Sequence, residues 1–222
     1  MPGRTSWLGR AVGVYALGAA VVCAGLVSAA SAAVTDMRIT QVDNTGAPEL
    51  DGYVTQDVLI DFGGRWTGCQ MRIDLDNGTI YQDAFGVDTP PSAVVIGFAP
   101  SLAYDTFVAG GGATQDDALV PIGITGGAVD LGGEPTAQFD ETRINFAWHP
   151  QPGLKIENQT DFLAARVSLS DDAAGTWSFL ASDGEISTYG GPIDNGLPEP
   201  ATVALLAVGG SGLLRRRKRR MA

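Results

Sequence analysis

Two apolar runs without a single charge, residues 11–27 and 201–214, bracket this 222-residue chain. They confine whatever folds in water to the stretch between them. The front run follows Arg4 and Arg10 and ends in the small residues 28–33. A basic start, an apolar middle and a small-residue end make a secretory signal over residues 1–32, with signal peptidase cutting between Ala32 and Ala33. An uncleaved anchor is the alternative. Cys23 follows Val22 rather than a small residue, so it is not read as a lipid-attachment site.

The rear run follows Pro198, Glu199 and Pro200 and runs into Arg215, Arg216, Arg217, Lys218, Arg219 and Arg220. An apolar helix at 201–214 would enter a bilayer and the basic cluster at 215–220 would not cross it, so this is a stop-transfer device with the main body outside. Pro200 keeps the helix from extending backward, which leaves the Pro-Glu-Pro stretch extended. From Pro200 to Leu214 there are 15 uncharged residues, about 22 Å of helix against the ~30 Å of a hydrocarbon core. Arginines can snorkel and the bilayer can thin, and so weak a span suits a temporary hold before cleavage. A permanent single-pass anchor is the alternative.

Taken whole, the chain has 25 acidic and 14 basic residues. Residues 33–196, the expected acidic domain, hold 24 of the acids and six of the bases, a net charge of −18. That balance repels phosphate and argues against a nucleic-acid partner. Hydrophobic residues make up 45% of the chain, enough for a core, and the 30 Gly and 12 Pro fall below the ~25–30% typical of low-complexity disorder. Nineteen of the 24 acids are Asp, which favours turns over helices.

Local patterns agree on strands. Gln70, Arg72 and Asp74 alternate with Cys69, Met71, Ile73 and Leu75, and Asn77-Gly78 follows as a hairpin signal with residues 79–81 as the returning strand. Val54, Val58, Ile60 and Phe62 share one face of another strand, as do Ile144, Phe146 and Trp148, with Asn145 and His149 opposite. Residues 162–169 and 176–181 continue the style around a turn at 170–175. Turns about every ten residues, with no sustained helical period, predict an all-β fold, an antiparallel β-sandwich or jelly-roll-like body.

The tail at 197–222, with Pro198-Glu199-Pro200-Ala201-Thr202, the apolar helix and the Arg cluster in order, resembles the PEP-CTERM protein-sorting domain of bacteria that make extracellular polymeric material. The same tail is also catalogued as an "ice-binding protein C-terminal domain". The resemblance implies recognition by an exosortase, a membrane cysteine transpeptidase-like enzyme, with processing near Pro198 to Pro200. A sortase signal would need Leu-Pro-x-Thr-Gly, and Leu197-Pro198-Glu199-Pro200-Ala201 lacks the Thr and the Gly. The body is similar to secreted PEP-CTERM proteins in Asp43-Asn44-Thr45, in residues 80–85 and in residues 165–170, a resemblance that implies a β fold and no chemistry. Ice binding is not expected of the body, because a flat ice-binding face needs regularly spaced Thr and no Thr-x-Thr occurs.

Within the body the candidate chemistry is sparse. His149 is the lone histidine, without a Gly-x-Ser-x-Gly elbow to serve. Cys69 is the one cysteine left after signal cleavage and has the parity of a core residue, so neither an internal disulfide nor a zinc site is expected. No metal is assigned, although Ca²⁺ could be held by carboxylates at Asp74, Asp76 and Asn77, at Asp116-Asp117 or at Asp171-Asp172; Gly78 arrives one position too early for an EF-hand. Trp66 has the parity of Gln70, Arg72 and Asp74, and Tyr53 that of Thr55, Asp57 and Asp61. These two are the candidates for glycan contact, including exopolysaccharide, whereas Trp148 and Trp177 are expected in the core. The reading is an exported, non-catalytic protein of the cell surface or extracellular matrix. A carbohydrate-binding module is the alternative, and a secreted carboxylate-dependent hydrolase the second.

Overall fold

Val, Ile, Phe and Trp at every second position can bury one face of a strand and leave the other for polar groups. That pattern produces ten strands in residues 34–198, the part of the chain that the computed structural model describes. They are β1 (Val34–Val42), β2 (Tyr53–Arg65), β3 (Gly68–Asn77), β4 (Phe107–Gly111), β5 (Ile122–Gly126), β6 (Gln138–Asp140), β7 (Arg143–Pro150), β8 (Glu157–Ser170), β9 (Ala174–Ser182) and β10 (Ile186–Asp194). The segments bearing Ala32 and Ala33, Glu199 and Pro200, and Arg215 to Arg220 with Lys218 lie outside the described residues. Among the described residues the one α-helical turn, Ala93–Ile96, is capped by the Ser92 side chain.

All pairings are antiparallel and make two sheets, one in the order β1-β2-β8-β4 and one in the order β10-β9-β3-β7-β5, with β6 also on β7. Their facing residues form one core. In the larger sheet, register stacks Met71 between Phe146 and Phe179, and Ile73 between Ile144 and Trp177. From the smaller sheet Val58, Ile60, Phe62, Val167 and Leu169 meet them. The expected faces of β3 and β7 and the core placement of Cys69, Trp148 and Trp177 are found as read; on β2, Val58, Ile60 and Phe62 enter the core, while Val54 is only half-buried and stays outside it.

Over β8 the outer face of the smaller sheet is also covered. Segment 100–106 lies over it, and Ser168 Oγ donates to Tyr104 O at 2.6 Å. Arg166, only 8% exposed, grips both oxygens of Asp57 at 2.6 and 2.8 Å and donates to Ala103 O. Buried on both faces, β8 therefore reads as a nearly continuous apolar run.

Two expectations fail at corners. Asn77-Gly78 does turn the chain, with Gly78 at φ +79°, but no hairpin forms, because both edges of β3 are already taken by β7 and β9. The chain crosses instead to the other sheet, where Ile80 bridges Leu169. Trp66 lies on no polar face: it is fully buried. Strand β2 ends at Arg65 and β3 begins at Gly68, so Trp66 sits in the corner between them, where strand parity does not carry over. Its ring packs on Phe162 with centroids 4.8 Å apart, and its indole N–H points to Cys69 Sγ at 3.3 Å.

Candidate functional site

The crossing at residues 79–81 builds a concavity between strands of both sheets. Thr79 N donates to Ser170 Oγ, Tyr81 N to Ser168 O and Ile80 N to Glu141 O, at 2.7–2.8 Å. Ser168 and Ser170 belong to the smaller sheet and Glu141 to the β6–β7 turn of the larger one, so this short segment is tied to both. Beside it opens a cleft of about 930 Å³, lined by Tyr53, by residues 79–83 and by Asp140, Glu141 and Thr142.

Tyr53, at the start of β2, is half-buried in the cleft wall. Its hydroxyl meets Thr79 Oγ1 at 3.0 Å, and its ring stands edge-to-face against Tyr81 at 5.3 Å. Tyr81 OH donates to Asp83 Oδ2 at 3.3 Å, which also accepts from Ser101 Oγ at 2.5 Å, while Asp83 Oδ1 accepts from Phe85 N. Burial, reinforced by the Asp83 charge, pushes the Tyr81 phenol up to about 12. Of the two aromatic residues singled out by sequence, the structure brings only Tyr53 to a surface. Its partner is Tyr81, which follows the Asn-Gly turn.

Behind the cleft wall lies Asp105, 1% exposed. Its Oδ1 accepts from Asp83 N and Thr106 N at 2.9 and 3.0 Å. Desolvation dominates those hydrogen bonds and, with the charges of Asp83 and Asp88 adding to it, raises the carboxyl to about 7. Such a value suits a general acid. However, Asp105 is not among the residues lining the cleft, and Gly86 lies so close over it that a Cβ there would collide with its carboxylate. Sequence reasoning could not select it from 24 acids, since only burial distinguishes it.

The other expected residues are dispersed. His149 Nδ1 lies 2.6 Å from Pro150 O, beside a hollow of about 300 Å³ in which Gln70 and Asp130 satisfy each other. Burial raises the Cys69 thiol to about 12. Asp74 pairs with Arg72 and Arg143, Asp116 accepts from Ala93 N, Asp117 from Thr114 Oγ1 and Asp172 from Ser170 Oγ. Among the described residues no three His, Cys, Asp or Glu side chains gather where they could hold a metal ion. The chain matches no family model, no curated protein and no solved structure.

Proposed function

We propose that this chain is an exported, non-catalytic protein of the cell surface or extracellular matrix. Its acidic body, a two-sheet sandwich of jelly-roll kind, would be carried through the membrane by the front signal and held there by the rear segment until an exosortase acts near Pro198, Glu199 and Pro200. The observation that carries the reading is the order at the rear end: Pro-Glu-Pro, then an uncharged apolar run, then six basic residues. A fastening beside the motif also fits it. Gln56 clamps the backbone of Leu197, next to the motif, from both sides, accepting from its N–H at 2.6 Å and donating to its carbonyl at 3.1 Å.

Intact mass spectrometry of the exported protein from its native host tests this. The expected species lacks residues 1–32 and those beyond Pro200. A mature species retaining Arg215 to Arg220 makes the rear segment a permanent anchor, and a body found free in the cytosol overturns the reading altogether. Carbohydrate binding is the second reading, favoured by the paired Tyr53 and Tyr81 rings in the cleft; a glycan array tests it, and silence across the array retires it.

A further inference from the structure

We propose that the cleft between the two tyrosines and the β6–β7 turn holds a segment of an uncharged glycan chain, and that it rejects anionic polysaccharides. This rests on the carbohydrate-binding reading above and adds to it the class of polymer. The volume of about 930 Å³ falls within the ~300–1,000 Å³ that encloses a small-molecule ligand. The Tyr53 and Tyr81 rings give the wall an apolar portion that can take the C–H face of a sugar ring. Acceptors stand opposite. The Glu141 carboxylate makes no hydrogen bond among the described residues, and Asp140 commits only Oδ1, to Thr142. Both side chains are exposed, so sugar hydroxyls can donate to them.

Charge supplies the discrimination. Asp83, Asp140 and Glu141 are carboxylates, and no lysine or arginine lines the cleft. Arg143, next to the turn, donates instead to Asp74 Oδ1 at 2.8 Å. A uronate, sulfate or phosphate group entering here would face like charge with no compensating cation, a repulsive device that selects against anionic polymers. The net charge of −18 on the body repels them at longer range too. Attraction of hydroxyls needs no such field, because the walls are already set: segment 79–81 is tied to both sheets, and Asp83 holds the Tyr81 hydroxyl. Little ordering is left for the ligand to supply.

The test is titration calorimetry of the full exported protein with soluble neutral glucans and galactans, chitosan oligomers and alginate. A neutral polymer is expected to bind with little dependence on salt. Tyr81→Ala should weaken it about tenfold, whereas Tyr81→Phe, which keeps the ring, should change it by less than about threefold. Glu141→Lys changes an exposed turn residue whose backbone carbonyl still serves Ile80 N. It should weaken the neutral polymer severalfold and let alginate bind, even where Tyr81→Ala fails to fold. Alginate binding in place of neutral polymers overturns the inference but leaves the carbohydrate reading intact, and binding of none of the three classes overturns both. Chitosan binding alone, abolished by salt, assigns the attraction to general negative charge and overturns the inference. So does neutral binding untouched by both Tyr81→Ala and Glu141→Lys in folded protein.

Discussion

Replacing Asp105 with Asn should make the body more stable at alkaline pH than at acid pH, relative to the wild type. An Asn Oδ1 can keep accepting from Asp83 N and Thr106 N while removing the titration. In the wild type the folded carboxyl titrates near 7 against an ordinary 3.8, chiefly because it is buried. The folded state therefore holds the proton more tightly than the unfolded one. That preference is fully present below about pH 4 and is lost as pH rises through about 7, after which both states are ionised and the folded state carries the whole cost of a buried charge. At about 1.4 kcal/mol per tenfold change in proton affinity, the displacement is worth roughly 4 kcal/mol at most. Between about pH 4.5 and pH 8 the Asn variant should gain about 3 kcal/mol on the wild type. Urea unfolding at the two pH values would measure it, with the buried Trp66, Trp148 and Trp177 as fluorescent reporters. Contributions from groups remote from Asp105 are common to both proteins and cancel. A gap between the two proteins that stays constant across that range would refute the claim that Asp105 is held protonated by burial.

Trp66→Ala should cost about 3–5 kcal/mol in urea unfolding through the cavity left beside Phe162, since the ring is wholly enclosed. Asn145→Ala should cost about 1–3 kcal/mol and open residues 127–136 to limited proteolysis. That side chain accepts from Ala128 N and donates to Glu134 O and Thr136 O, at 2.8–2.9 Å, so it is the pin holding this loop across the outer face of the larger sheet. Cys69 should resist thiol reagents at neutral pH until the protein is unfolded, because burial both shields the sulfur and holds its proton; labelling of the native protein would contradict that placement.

What could be read in advance follows from the range of each signal. Period-two alternation is local, and it suffices for β3, for β7 and for β2 from Val58 to Phe62, where one face is core. It also found β8, though not why that strand is apolar on both faces; the cause is segment 100–106, some sixty residues away in the chain. Parity failed at Trp66 because the count was continued through a corner, and a corner resets which way a side chain points. Turn chemistry is local as well. The Asn77-Gly78 pair announces a reversal and Gly78 delivers it, but whether the next strand can return depends on a vacant edge, and β3 has none.

The cleft follows from that failure. Were residues 79–81 to pair back on β3, Tyr81 would lie within the larger sheet, far from Tyr53 at the start of β2 in the other. With β7 and β9 in place on β3, Thr79, Ile80 and Tyr81 bond instead to Ser168 and Ser170 of β8 and to Glu141 in the β6–β7 turn. The crossing they are forced into brings the two tyrosines to 5.3 Å and sets Glu141 and Asp140 across from them. The composition of the cleft is thus a consequence of strand order. Residues 53, 79–83 and 140–142 share no motif, because what unites them is a β3 edge occupied by β9, a strand nearly a hundred residues downstream of the Asn77-Gly78 turn. A site assembled this way is marked in sequence by a turn signal whose expected return partner is already committed elsewhere, and in this chain Asn77-Gly78 is that mark.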